Sequence, residues 1–231
     1  MDGNTAKIYC GAVATYNTQV EATFIDTHIR RCTSLSNVGG LWPIGASRMT
    51  MIRGAITECT APAFGGAAFV EPGNSLTLID VLVDRCKTFS SGGDARGGGI
   101  LVMGATDVMS GILVMSGGAF RECESLNSQG GGLAVVAGQA QLNGVAFFGC
   151  KAMEGAGVLS SDGDLLLSDV SIESCNASSY GALLYSGAGS KLRAERVRVA
   201  NCHAVLAHGG VLCNGGSSTS VLQLEPHATS A

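Results

Sequence analysis

Apolar and polar residues alternate in short bursts along the whole chain, and no stretch keeps the 3.6-residue period of an amphipathic helix. The segment from Ser75 to Val102 shows one complete unit. Leu76, Leu78, Val81 and Val83 are apolar at nearly alternate positions, which predicts strand with one face buried. Asp84 and Arg85 then make a polar corner. Cys86 follows Val83 at a spacing of three rather than two, so the chain must bend there if both side chains point inward. A polar loop leads to Gly97-Gly98-Gly99, where the missing Cβ permits a positive φ or a close backbone approach. Ile100-Leu101-Val102 is the next short strand.

This unit recurs. Cys32, Cys59, Cys86, Cys123, Cys150, Cys175 and Cys202 follow one another at intervals of 27, 27, 37, 27, 25 and 27 residues. Three residues before each stands an apolar side chain (Ile29, Ile56, Val83, Phe120, Phe147, Ile172, Val199), and two residues after it a small one (Ser34, Ala61, Thr88, Ser125, Ala152, Ala177, Ala204). A constant period of strands too short to bury their faces alone predicts a coil stacked on its own copies. The expected fold is all-β, a right-handed parallel β-helix of about eight coils. Equivalent strands would then lie about 4.8 Å apart. Arg31, Glu58, Arg85 and Glu122, each immediately before a ladder cysteine, alternate in sign in four consecutive coils. Opposite charges on neighbouring strands contribute about 0.2–1 kcal/mol each, less where solvent screens them.

Composition agrees with short strands and tight corners. The 231 residues include 34 glycines, with 5% aromatic and 14% charged residues. The unbroken repeat argues for one domain over 1–231. Tyr9-Cys10-Gly11-Ala12-Val13 resembles Phe64-Gly65-Gly66-Ala67-Ala68, so the chain is expected to begin inside a repeat and to be a fragment of a longer protein lacking one or both caps. A net charge of −4, with scattered Lys and Arg, argues against nucleic acid as a partner. Ser125 to Cys150 carries no charge, yet Asn127, Gln129, Gln139, Gln141 and Asn143 interrupt it, which argues against a membrane span. Met1 to Tyr9 has no apolar core behind a basic start, so no signal peptide is read there.

Phe120-Arg121-Glu122-Cys123, echoed by Phe147-Phe148-Gly149-Cys150, resembles the F-x-x-N motif of the polymorphic outer-membrane protein repeats of bacterial surfaces. Gly65-Gly66-Ala67-Ala68, Gly131-Gly132-Leu133, Gly181-Ala182-Leu183 and Gly209-Gly210-Val211 resemble its companion G-G-A-[ILV]. The resemblance covers nearly the whole chain and implies a pectin-lyase-like right-handed β-helix with passenger or adhesin roles. Cys stands where the family has Asn, which exchanges a polar internal ladder for a weakly polar one.

Three readings of the cysteine ladder compete. Neighbouring Cα atoms about 4.8 Å apart fall within disulfide range, but parallel Cβ vectors hold the Cβ atoms beyond the favoured ~3.8 Å, so vertical disulfides would be strained. A metal site needs ligands converging from several directions, whereas a ladder presents sulfur in a line. Buried free thiols acting as small apolar groups are the favoured reading. Cys10 and Cys213 lie off the ladder, and Cys213 is expected on a strand. Cys202, His203, His208 and Cys213 have a superficial likeness to a zinc site, but Cys202 should point inward and His203 outward.

Candidate chemistry is sparse. Asp162-Gly163-Asp164 is the one tight acidic pair and reads as a turn, with calcium or catalysis as the sharper alternative. The coil between Cys86 and Cys123 is ten residues longer than the usual 27, and loops that break a repeat are where function is often grafted. Asp94, Arg96 and Asp107 in or near it are the candidate binding residues. Asn176-Ala177-Ser178 is a weak glycosylation sequon. No nucleophile–base pair, phosphate loop or cofactor fingerprint is found, and no cofactor is expected. The leading expectation is a non-enzymatic surface or extracellular β-helix, a stalk or adhesin-like module binding carbohydrate or surface protein. The alternative is a degenerate or partial polysaccharide lyase or hydrolase.

Overall fold

The structure, a computed structural model, describes residues 1–16, 19–89, 96–105, 109–181, 185–186, 191–205, 213–214 and 221–223. The described elements are all strands and they pair in parallel, forming a β-solenoid of about seven turns. Each turn contributes to three stacks. A thirteen-stranded sheet holds the segments that precede the ladder cysteines, such as Ser75–Asp84, Ile112–Ser116 and Ala119–Arg121. An eight-stranded sheet begins immediately after those cysteines, and a six-stranded sheet follows the glycine pairs, as in Ile100–Met103 and Leu133–Val136. Among the described residues no helix is long and apolar enough to cross a membrane. Cys213–Asn214 is a strand, as expected, paired with Tyr185–Ser186.

The seven ladder cysteines form one vertical row. The backbone carbonyls of Cys32, Cys59, Cys86, Cys123, Cys150 and Cys175 each accept a hydrogen bond, at 2.9–3.0 Å, from the residue that follows the cysteine one coil on. The bend required between each apolar residue and its cysteine is made by a single residue in the left-handed region. Arg31, Glu58, Arg85, Glu122, Gly149, Ser174 and Asn201 have φ between 50 and 64°. For a residue with a Cβ this conformation costs roughly 1–2 kcal/mol. The corner is held by bonds between coils: the N–H groups of Glu58, Arg85 and Glu122 donate to the carbonyls of Asp84, Arg121 and Phe148, each at 2.8 Å. A second left-handed corner falls six residues before every ladder cysteine, at Asp26, Arg53, Asp80, Gly117, Gly144, Asp169 and Arg196.

The interior explains why the two halves of the repeat motif occur together. Phe120 and Phe147 stack inside the coil with centroids 4.6 Å apart and planes inclined by 3°. A Cβ on Gly99 would lie 2.9 Å from the Phe120 ring, and one on Gly132 would lie 2.7 Å from the Phe147 ring. The glycine pair therefore leaves room for the large side chain at the following corner. Carbonyls of the next coil crowd the same positions: a Cβ on Gly99 would clash with the Gly132 carbonyl, and one on Gly132 with the Gly157 carbonyl.

Candidate functional site

The ladder thiols are interior groups. Cys32, Cys59, Cys86, Cys123, Cys150 and Cys175 are fully buried, Cys202 is partly so, and all are free thiols. Each donates to the carbonyl two residues before it, from 3.4 Å in Cys32 to 3.8 Å in Cys150. Cys86, Cys123, Cys150 and Cys202 also reach a carbonyl of the preceding coil, at 3.4, 3.5, 3.9 and 3.6 Å. A thiol hydrogen bond is weak, so the row supplies shape and partial polarity rather than chemistry. Burial pushes the Cys86 thiol well up, and hydrogen bonding to Cys123 and Cys175, with burial, does the same to Cys150. Off the ladder, Cys10 is pushed up to about 11 by burial, while its thiol donates to the carbonyls of Gly40 at 2.8 Å and Val13 at 3.1 Å. Cys202 packs against the core while His203 is exposed, so the two diverge, and His208 lies outside the described residues.

Of the residues picked from the long coil, Asp94 and Asp107 lie outside the described residues. Arg96 stands in the regular stack, bridged to Phe64 on one side and Gln129 on the other. Its N–H donates to Ala63 at 2.9 Å, and its carbonyl accepts from Gly65 at 3.1 Å. In the same coil Gly104 and Ser110 form an antiparallel bridge. Asp162 sits in a turn with φ of 56°, and its carboxylate accepts from Ser161 Oγ at 3.5 Å. Asp164 opens the next strand and faces Lys191 Nζ of the following coil at 3.9 Å. Among the described residues no cluster of three or more His, Cys, Asp or Glu is arranged to hold a metal ion.

Several exterior charges pair from coil to coil. Asp2 binds Arg31 at 2.5 Å, Asp26 binds Arg53 at 3.0 Å, Glu58 binds Arg85 at 2.9 Å, Glu124 binds Lys87 at 2.9 Å and Asp169 binds Arg196 at 2.6 Å. In the alternating row read from the sequence, Glu58 and Arg85 thus close a pair, while Arg31 turns to Asp2. Asp84, only 2% exposed, is held by Arg121 at 2.7 Å and Arg85 at 3.0 Å. The arginine partners of Asp2, Asp26 and Asp169 hold those carboxyls below the usual range.

Four surface features have no counterpart among the candidate residues of the sequence. Two clefts open on the stack, one of about 660 Å³ lined in part by Gln19, Glu21, Arg48, Asn74 and Met109, and one of about 490 Å³ near Asn143, Asp169 and Arg193. Leu35, Phe89, Leu126 and Val205, each three residues after a ladder cysteine, are 41–75% exposed and mark an apolar stripe. On the outer side of the six-stranded sheet, five rings adjoin in the order Tyr16, Tyr9, Trp42, Phe69 and Phe64. Beside them Glu71 is half-buried, and burial raises its carboxyl above the ordinary range, opposed by the Trp42 N–H. The chain matches no protein-family model, no curated protein and no solved structure with which it was compared.

Proposed function

We propose that this chain is a non-enzymatic, extracellular or surface-displayed solenoid, an adhesin-like stalk or binding module for carbohydrate or protein. Its finer identity in this reading is a right-handed, pectin-lyase-like β-helix akin to the polymorphic outer-membrane repeats. The observation that carries the reading is the use made of the charges. Asp2, Asp26, Glu58 and Asp169 on the exterior each meet an arginine of the adjacent coil, an arrangement that sets register and braces one coil on the next. Hydrolysis or elimination on a polysaccharide needs carboxylates held at a working separation and free to exchange protons. Support for binding comes from the apolar stripe at Leu35, Phe89, Leu126 and Val205, because exposed apolar patches mark interaction surfaces. A rank of outward threonines, Thr23, Thr50 and Thr77, stacked in register on the thirteen-stranded sheet, adds a regular polar face.

The test is incubation of the protein with pectin-like and alginate-like polymers in the presence of Ca²⁺, with unsaturated and reducing ends followed over time. No product beyond the polymer-alone control is expected. Sustained turnover overturns the reading in favour of a polysaccharide-active enzyme.

A further inference from the structure

Glu71 differs from most of the carboxylates around it. It is half-buried, and among the described residues no Lys or Arg lies within ion-pair distance of it. Its surroundings are aromatic. The Trp42 indole N–H, on a side chain only 6% exposed, has no hydrogen-bond partner among the described residues, and Glu71 stands two residues beyond Phe69, the ring packed on Trp42 at 6.1 Å. Tyr9 packs on Trp42 with centroids 6.1 Å apart and planes inclined by 40°. Tyr16 meets Tyr9 edge to face at 5.4 Å and 87°. Tyr9 and Tyr16 are 48% and 57% exposed, so both residues are accessible to a ligand.

A carboxylate taken partly out of water calls for a cation, and the faces of aromatic rings attract one through their quadrupoles. A strongly hydrated ammonium or metal ion would lose its water shell to enter. A quaternary ammonium is weakly hydrated, and its methyl groups pack against ring faces. We propose that Tyr9, Tyr16, Trp42 and Glu71 form a binding site for a quaternary ammonium group, of the kind carried by choline. A sugar ring fits less well: it stacks on a flat platform, whereas this tyrosine pair is perpendicular, and a neutral ligand leaves Glu71 without a counter-charge. The site deepens the binding-module reading on which it rests, by naming the ligand chemistry.

Trp42 is the single tryptophan of the chain, so its emission reports on the site directly. The full chain is titrated with choline chloride and with tetramethylammonium chloride against sodium chloride at matched ionic strength. A saturable change in emission is expected, with a dissociation constant on the order of millimolar. Tyr9→Ala and Tyr16→Ala should each weaken it about two- to fivefold, and Glu71→Gln about tenfold. Circular dichroism checks that each variant keeps its sheet content. A response equal to that of sodium chloride overturns the proposal, as does a response that Glu71→Gln leaves unchanged. A neutral hexasaccharide that shifts the emission while choline does not replaces the ammonium site by a sugar site. None of these outcomes touches the non-enzymatic reading, which falls only to product formation.

Discussion

Phe147→Ala tests the interior logic of the stack. Phe147 is 1% exposed and lies flat on Phe120 at 4.6 Å. Removing a buried phenylalanine ring costs about 3–5 kcal/mol, which combines lost transfer energy with a term for the cavity left behind. The stacked partner accounts for about 0.5–1.5 kcal/mol of it. Collapse of the hole is restricted here, because the ring's neighbour Gly132 has no side chain to move inward. The expected cost is therefore near the middle of the range or above, about 4 kcal/mol. Phe147→Leu keeps most of the volume and loses the stack, for about 1–1.5 kcal/mol. Urea unfolding followed by far-ultraviolet circular dichroism gives the global value. Because a solenoid coil contacts only its neighbours, a local reading is needed as well. Alkylation of Cys123 and Cys150 in the native protein, located by mass spectrometry, supplies it. If these coils open together, a 4 kcal/mol loss accelerates their labelling by about a thousandfold. A cost below about 1.5 kcal/mol for Phe147→Ala, or equal costs for Ala and Leu, would refute the claim that this column is close-packed.

The remaining predictions concern the thiols and the charges. In the native wild-type chain Cys59, Cys86 and Cys123, all fully buried, should resist a bulky alkylating reagent until the protein unfolds. Rapid native labelling of all three would show that the ladder is open to solvent. Asp84→Asn removes the charge shared by Arg85 and Arg121, which are about half exposed and able to rehydrate; the expected loss is about 1–3 kcal/mol, below that of stranding a fully buried charge, and unchanged stability would contradict the assignment. For Asp2, Asp26 and Asp169 the folded pKa is depressed, so their contribution is complete above the ordinary value of 3.8 and is lost as pH falls through the lower folded value. The melting temperature should decline on acidification through that window, and Arg53→Gln together with Arg196→Gln should flatten the decline.

How much of this was legible in the sequence depends on whether a feature recurs. The cysteine row, the inward apolar residues before it and the small residues after it repeat in every coil, so a linear reading identifies the parallel stack without knowing a contact. The left-handed corner at Asp26, Arg53, Asp80, Gly117, Gly144, Asp169 and Arg196 recurs equally well; its signal, a polar residue or glycine six places before each cysteine, is faint because no single residue type marks it. A left-handed φ is tolerated by Asp and Gly more readily than by Arg, so type alone would not have exposed it. The ring cluster was hidden for a different reason. Tyr9 and Phe64 share one place in the repeat and Trp42 and Phe69 another, but other coils put Asn37, Arg96, Leu101 and Ala134 there, so no residue type marks the cluster that the structure assembles on the outer side of one sheet. Glu71 likewise reads as an ordinary turn residue before Pro72. In a solenoid, recurrence specifies the stack, while a ligand site must differ from coil to coil if it is to bind at one place rather than all along the rod. The residues that break the pattern are therefore where this protein's specificity resides, and Arg96 shows that an unusual loop length is not the same thing as an unusual surface: the chain grew longer there, yet Arg96 kept its place in the row.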